Sequence, residues 1–165
     1  MSIGKNPLIE LLILFIFLSV AVGISYVAKV FIVDGDSMFP TLKTDERIVV
    51  DKRAYIYVKP VKNDIVGMSD PTDQKLLYVK RIVATPGDIV EVNQSEVIVN
   101  DRILYNANQL MPLKEIKIPS GYYFVMGDNK GVSYDSRQFG LVPESNIIGR
   151  AVMVVWPVSN FRVLN

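Results

Sequence analysis

The sequence predicts a mostly β, antiparallel domain that follows one N-terminal membrane-anchor helix. Two observations indicate the β domain: short runs rich in β-branched and aromatic residues follow one another after residue 47, and no long amphipathic helix separates them. A third observation is an uninterrupted apolar run near the N-terminus. We therefore expect residues 1–33 to hold a short N-terminal stub and the helix, and residues 34–165 to form the β-rich domain.

The apolar run covers residues 11–28 and contains no charged side chain. As a helix it would be about 27 Å long, close to the hydrocarbon thickness of a bilayer. A buried core helix is one alternative, although such a helix usually shows a polar face. A cleaved signal peptide is another, because Lys5 precedes the run and the small residues Ala21 to Gly23 could be cut. The run continues beyond that point, so we favour a retained anchor, whose flanking charges leave its orientation open.

Seven segments after the apolar run have the composition of β-strands. One of them contains both strands of a hairpin, with its turn at Asn93 to Ser95, whereas Asn106 to Pro119 has weak periodicity and reads as a connecting loop. Short strands separated by turns favour an antiparallel arrangement. The segments are RIVVDKR, AYIYVK, LLYVKRIVA, DIVEVNQSEVIVND (the hairpin, counted as two strands with its turn), RILYN, GYYFVMGD and GRAVMVVW.

Composition excludes several kinds of chemistry. The chain of 165 residues has a net charge of +1, which argues against a nucleic-acid-binding surface. It contains no cysteine, so there is no disulfide framework, and no histidine, so there is no Ser-His-Asp triad. The sequence also argues against a catalytic zinc site, since His and Cys supply most zinc ligands. A nucleophile in this protein must therefore use Lys, Asp, Glu, Tyr or a terminal amine as its base.

The candidate nucleophile is Ser37, in the segment VDGDSMFPTL. Gly35 and Asp36 precede it and Met38 and Pro40 follow it, a setting that can expose a hydroxyl in a tight turn. A serine in this position requires a group that takes its proton.

Lys80 is the candidate base, because it lies in the apolar segment LLYVKRIVATPGD. Burial among apolar groups lowers the pKa of lysine from about 10.4 and so produces the neutral amine that a base needs. Alternation along a strand puts Lys80 on the face of Tyr78 and Ile82 and puts Arg81 on the other face, so one of the two cations points inward. The alternative is an edge strand with both cations in solvent.

Three segments, GDSMFPTL, YVKRIVATPGD and GDNKGVSYDSRQFGLVP, together resemble the conserved boxes of type I signal peptidases, also called leader peptidases. They occur in the order of that family and behind an N-terminal membrane segment, and KNDIVGMSDP resembles the intervening box. The short chain with one anchor is similar to compact bacterial, Gram-positive-like members. The resemblance implies a β-rich catalytic domain of the signal-peptidase type.

The resemblance also implies roles for individual residues. Ser37 would be the nucleophile, Lys80 its general base, and Ser133 the residue that orients the lysine amine. This is the Ser-Lys variant of the triad. Asp135 and Arg137 match a pair that supports the site.

Asp128 similarly matches an acid that faces the position of Arg81, which makes both supporting residues. Gly35 stands where many relatives have a serine that helps to form the oxyanion hole. The hole would then depend on backbone N–H groups, those of Ser37 and Gly35. Ala84 and Gly67 are two further departures, and the second could alter the shape of the substrate pocket.

The function implied is that of a membrane-bound serine endopeptidase, which cleaves N-terminal signal peptides from exported preproteins after small residues. Its partners would be preproteins and the lipid bilayer, with no nucleic acid, no metal and no cofactor. It would lie in the cell membrane as a single-pass protein, with a cytoplasmic N-terminus and an extracytoplasmic catalytic domain.

Two alternatives remain. A non-catalytic membrane adaptor on the same fold would be expected to lose Ser37 or Lys80, but both are present. A self-cleaving repressor-type peptidase uses a similar Ser-Lys dyad. It would carry a DNA-binding domain where this chain has its apolar segment.

Overall fold

The computed structural model describes residues 7–106 and 113–164, in which one long helix leads into two antiparallel sheets. The predicted mostly β, antiparallel class is confirmed. Short 3-10 helices occupy Glu144–Asn146 and Val158–Asn160. The elements are α1 (Pro7–Val27), β1 (Ala28–Ile32), β2 (Arg47–Asp51), β3 (Ile65–Ser69), β4 (Leu77–Ala84), β5 (Ile89–Val92), β6 (Glu96–Val99), β7 (Arg102–Asn106), β8 (Leu113–Lys117), β9 (Tyr122–Met126), α2 (Ser136–Phe139), β10 (Val142–Pro143), β11 (Ile147–Trp156) and β12 (Arg162–Val163).

The N-terminal helix ends earlier than the predicted segment 1–33. Helix α1 stops at Val27, where the carbonyl accepts a hydrogen bond from the Lys52 N–H, and Ala28–Ile32 then pairs with β2. The β-branched and aromatic residues of this stretch favour a strand once a partner edge is available. Within residues 7–106 and 113–164, no helix meets the length and hydropathy required of a membrane-crossing segment. The predicted stub at residues 1–6 lies outside the described residues.

The larger sheet has eight strands in the order β1-β2-β11-β3-β4-β9-β10, with β12 paired to β11. Strand β4 is therefore central and has β3 on one side and β9 on the other. Lys80 of β4 lies opposite Val66 of β3. The Lys80 side chain is buried because Ser37 and the Tyr78 ring lie against it.

The smaller sheet has the order β7-β6-β5-β8 and packs its apolar residues against the end of β4 and β9. Its β5–β6 hairpin has the predicted turn, in which the Asn93 side-chain oxygen accepts the backbone N–H groups of Ser95 and Glu96.

The prediction of a loop from Asn106 to Pro119 was wrong for Leu113–Lys117, which forms β8. Residues 107–112 of that predicted loop lie outside the described residues. Strand β8 is an edge strand in which the consecutive charged residues Lys114 and Glu115 are both exposed, and such a pattern carries little periodic signal.

The prediction of a strand at AYIYVK was also wrong, because residues 54–59 form turns and bends outside the sheets. The Asp51 carboxylate accepts the Arg53 N–H and turns the chain away from β2. The Tyr55 hydroxyl then donates to Asp64, and Tyr57 is 96% exposed. The β-type composition of this segment therefore finds no partner strand.

Candidate active site

Ser37 lies in the connection between β1 and β2, on a turn whose apolar residues pack into the core. Met38 and Leu42 are buried in the cluster formed with β1 and β2. The Leu42 N–H donates to the Met38 carbonyl oxygen and closes the turn at 2.9 Å. Gly35 has φ +77°, a backbone conformation that a side chain makes costly, which accounts for glycine at this position. The turn thus presents the Ser37 side chain to β4.

Lys80 projects from the centre of β4 towards this turn. Its residue exposure is 3%, and its Nζ lies 2.8 Å from the Ser37 Oγ, to which it donates a hydrogen bond. The Tyr78 ring lies beside it, with the ammonium 5.4 Å from the ring centroid. Two residues 43 positions apart in the chain are therefore in direct contact.

The surroundings of Lys80 favour its neutral form. Burial lowers the pKa of the Lys80 amine to about 8. The negative charge of Asp135 opposes this effect, whereas the positive charge of Arg137 adds to it. Desolvation is the main cause, since it penalises the ammonium and leaves the amine almost unaffected.

Asp135 and Arg137 lie in the segment of residues 127–139, hereafter the β9–α2 segment. Their side chains form a buried bidentate pair, in which the Arg137 Nε and Nη2 donate to the two carboxylate oxygens at 2.8 Å. Asp135 is also the N-cap of α2, where its Oδ1 accepts the Arg137 N–H, and its Oδ2 accepts the Gly127 N–H. One carboxylate therefore fixes both ends of the loop that follows β9.

Gly127 is the point at which this segment touches Ser37. A Cβ on Gly127 would overlap the Ser37 carbonyl oxygen and the Ser133 side chain. The Asn129 N–H also donates to the Ser37 carbonyl at 3.0 Å. Close backbone approach here requires glycine.

Ser133 lies in the same region, and its side chain is buried. Its hydroxyl makes no hydrogen bond to any residue that the structure describes, the Lys80 amine included. The orienting role expected for Ser133 thus stays a prediction.

Arg81 and Asp128 are brought together on the other side of β4. The Arg81 Nε and Nη2 each donate to one oxygen of the Asp128 carboxylate at 2.7 Å. This contact raises the pKa of Arg81 and, together with a hydrogen bond from Thr41, lowers that of Asp128 against its partial burial. The pair joins β4 to the start of the β9–α2 segment.

A cavity of about 240 Å³ opens beside Ser37 and Lys80. It lies between two extended segments, residues 31–34 and 76–80, and its apolar lining includes Phe31, Met38 and Leu77. A larger groove of about 520 Å³ between the two sheets touches neither Ser37 nor Lys80. In the described part of the chain, no cluster of Asp and Glu has an arrangement that could hold a metal ion.

Comparison with known proteins identifies the family. The family profile described as "Signal peptidase, peptidase S26" matches residues 8–156. The chain belongs to the signal peptidase family, peptidase S26. The expected activity, that of a serine peptidase that cleaves signal peptides, is confirmed at the level of this family.

Several members of the signal peptidase family resemble this chain over most of its length. It is 36% identical to "Probable signal peptidase I-2" of Synechocystis sp., over 87% of this chain and 71% of the relative. It is 34% identical to "Signal peptidase I U" of Bacillus subtilis, over 81% and 79%. The match to "Probable thylakoidal processing peptidase 2, chloroplastic" of Arabidopsis thaliana is 37% over 77% of this chain, which spans only 38% of that longer relative.

Among solved structures, a crystal structure of a signal peptidase I from Enterococcus faecalis is 27% identical. The match covers 56% of this chain and 96% of the other, with a TM-score of 0.46.

The roles of two residues of this site were not predicted from the sequence. Gly127 was not singled out, although a glycine directly before Asp128 in a loop is a signal for close backbone approach. Tyr78 was expected only on the face of Lys80, whereas its ring stacks with Phe139 and meets Tyr134, and so forms an aromatic wall beside the amine.

Proposed function

We propose that this signal peptidase uses Ser37 as nucleophile and Lys80 as general base. The observation that carries the proposal is the 2.8 Å separation of the Lys80 Nζ from the Ser37 Oγ at a buried site where the pKa of Lys80 is lowered to about 8. Near and above that pH a substantial fraction of the amine is neutral and can accept a proton.

In the proposed reaction the neutral Lys80 amine takes the proton of the Ser37 hydroxyl as its Oγ attacks the scissile carbonyl carbon. The resulting ammonium then gives that proton to the leaving amine of the mature chain, and an acyl-enzyme ester remains on Ser37. Lys80 next takes a proton from water, whose oxygen attacks the ester carbonyl carbon. As the bond to the Ser37 Oγ breaks, the Lys80 ammonium returns the proton to that oxygen, and the signal peptide leaves as a carboxylic acid that loses its proton to solvent.

The negative oxygen that develops during attack would be held by backbone N–H groups of the turn, those of Ser37 and Gly35. This assignment is supported by the Ser37 N–H, which donates no hydrogen bond to any residue in the described part of the chain. A donor left available beside the nucleophile is what an oxyanion hole requires.

Ser133 would orient the Lys80 amine once substrate has tightened the site, because its buried hydroxyl is otherwise left without a partner among the described residues. Asp135, Arg137, Asp128 and Arg81 would support the arrangement through their two bidentate pairs.

The substrate would be the region around the cleavage site of an exported preprotein, bound in an extended form. The cavity beside Ser37 supports this proposal, since it lies between two extended segments that can pair with an added strand. Its small apolar volume suits short side chains immediately before the cut.

We further propose that α1 associates with the lipid bilayer and holds the β-rich domain on the outer face of the cell membrane, with the N-terminus in the cytoplasm. The apolar side chains of α1 support membrane association, because most of them are exposed and find no cover in the β-rich domain. At 1.5 Å per residue, its 21 residues extend about 31 Å.

The test of the proposed chemistry is cleavage of a purified preprotein by the detergent-solubilised full chain. Ser37→Ala and Lys80→Ala should each abolish cleavage and leave the fold intact, and the double variant should be scarcely worse than either. Substantial cleavage by either single variant would refute the dyad.

The proposed membrane association of α1 is tested by flotation of the protein with lipid vesicles. Protease digestion of intact cells tests on which side of the membrane the β-rich domain lies.

A further inference from the structure

Strand β7 of the smaller sheet contacts the β9–α2 segment, which lies beside the proposed active site. We propose that Tyr105 of β7 is a positioning residue, which fastens the β9–α2 segment by holding the two cations Lys130 and Arg137. The inference rests on the proposed function, because it concerns the same catalytic site.

Both cations of the β9–α2 segment lie against the Tyr105 ring. The Arg137 guanidinium carbon is 5.4 Å from the ring centroid and the Lys130 Nζ is 5.5 Å from it. A cation within about 6 Å of an aromatic face is attracted by the ring quadrupole, and the attraction increases where water is excluded. The Arg137 side chain is only 5% exposed, so its contact with the ring falls in this stronger class.

A backbone contact strengthens the same junction. The Lys130 Nζ donates a hydrogen bond of 2.9 Å to the carbonyl oxygen of Leu104, the residue directly before Tyr105. Strand β7 of the smaller sheet therefore contacts the β9–α2 segment, which follows β9 of the larger sheet, through both a ring and a carbonyl group.

A continuous series of contacts leads from Tyr105 to the nucleophile. Arg137 pairs with Asp135, and Asp135 accepts the Gly127 N–H at 3.0 Å. Gly127 lies directly against the Ser37 carbonyl. A shift of Arg137 would thus move the backbone on which Ser37 rests. Displacements of about 1 Å at an active site can cost about a hundredfold in rate.

Arg137 also influences the charge state of the base. The charged groups that face the Lys80 amine are Asp135 and Arg137 from the β9–α2 segment, and Tyr78 lies beside it on β4. If Arg137 loses its contact with Tyr105 and moves from Asp135, the carboxylate is less neutralised and the repulsion from the guanidinium falls. Both changes stabilise the Lys80 ammonium and therefore raise its pKa.

The experiment compares variants at position 105 in the detergent-solubilised full chain. Tyr105→Phe is the reference, because it lacks the hydroxyl but keeps the ring. Relative to it, Tyr105→Leu should lower kcat for preprotein cleavage by about tenfold with little change in KM. The acid limb of its pH–rate profile should also move to higher pH. The matched control is Tyr57→Leu, the same substitution at an almost fully exposed tyrosine, which should behave like the unaltered protein.

A second variant addresses the risk that Tyr105→Leu fails to fold. Pentafluorophenylalanine at position 105 keeps the shape of phenylalanine but reverses the ring quadrupole, so it should reproduce the loss of kcat and the shift of the acid limb. A pentafluorophenylalanine variant with the kcat and pH profile of Tyr105→Phe would overturn the inference. Failure of the unaltered chain to cleave any preprotein would instead overturn the proposed function, so the two failures are distinguishable.

Discussion

Lys80 is the residue whose charge governs attack by Ser37 in the proposed mechanism. Because burial lowers the pKa of Lys80 to about 8, the neutral fraction is small at pH 6 and large at pH 9. Cleavage should therefore increase with pH through about pH 8, and single-turnover rates across this range would measure the effect. Lys80→Arg should be inactive at every pH, since a guanidinium does not deprotonate. A rate that stays flat down to about pH 5 would exclude Lys80 as the base.

Burial of the Lys80 ammonium should also cost stability. Between the folded-state pKa of about 8 and the ordinary value of 10.5, the unfolded chain binds more protons, so the free energy of unfolding rises with pH. Below pH 8 the full penalty applies, on the order of 3 kcal/mol. Lys80→Met should therefore be more stable than the unaltered protein at pH 7 and should lose this advantage towards pH 10.5. Denaturant unfolding at several pH values would measure it, and an equal advantage at all of them would contradict the assignment.

Gly127 offers a direct test of close packing at the nucleophile. In Gly127→Ala the new methyl group must displace the Ser37 carbonyl or the Ser133 side chain, and we expect cleavage to fall by about a hundredfold. Gly131→Ala is the matched control, because it lies in the same segment and a Cβ there meets no atom within 4 Å. Equal rates for the two variants would show that Ser37 does not depend on this contact.

The residues themselves predicted part of the site. Because the chain lacks His and Cys, a lysine was a candidate base. Strand alternation further predicted that one of Lys80 and Arg81 faces inward. Residue types alone could not place Ser37 beside Lys80, because a contact between positions 43 apart depends on strand order. That pairing was expected only from the resemblance to signal peptidases.

At the scale of elements, α2 and its cap depend on the buried Asp135–Arg137 pair. Arg137→Met would leave the Asp135 carboxylate charged and unpaired, and we expect a loss of about 3 kcal/mol in the free energy of unfolding. The double variant Asp135→Asn, Arg137→Met should recover part of this loss, because it removes the buried charge. Thermal unfolding of both variants would measure the difference. If Arg137→Met unfolds at the temperature of the unaltered protein, the pair does not stabilise this segment.

The strands that could be predicted are those whose apolar residues face a core. The segments that became β4, β9 and β11 alternate or run apolar because neighbours cover them on both sides. Residues 54–59 have the same composition, but turn contacts hold them away from any strand edge. Strand β8 is the opposite case, a strand whose composition does not indicate one. Backbone pairing to β5 determines its structure, whereas its exposed charged residues lack the apolar pattern of a strand.

At the scale of the whole molecule, the contacts that join distant parts of the chain could not be predicted. Glu46, buried near the start of β2, accepts hydrogen bonds from Arg162, which lies 116 residues later in β12. The same guanidinium donates to the Thr41 carbonyl, four residues after Ser37 in the turn. No local pattern marks a pair so far apart, since an isolated acidic residue before a strand resembles any surface charge.

This Glu46–Arg162 pair gives a prediction about stability and pH. Hydrogen bonds from Arg162 lower the pKa of Glu46 from 4.5 to about 2, so the pair contributes stability above pH 4.5 and loses it as pH falls through about 2. Arg162→Gln should reduce the free energy of unfolding at pH 7 by about 2 kcal/mol, a value discounted because solvent screens a partly exposed partner. Urea unfolding at pH 7 and pH 2 should show that the difference largely disappears at the lower pH.

Arg150→Gln is the control for this prediction, because the Arg150 side chain is 53% exposed and its nitrogen lies 3.8 Å from the Asp64 carboxylate. An exposed pair of this length contributes little, and we expect a change below about 0.5 kcal/mol. If Arg162→Gln matches this control at pH 7, the C-terminal strand is not held by Glu46. Since Arg162 also binds the turn that follows Ser37, a real loss of stability should be accompanied by slower cleavage. That result would make the last strand of the sheet part of the support of the nucleophile.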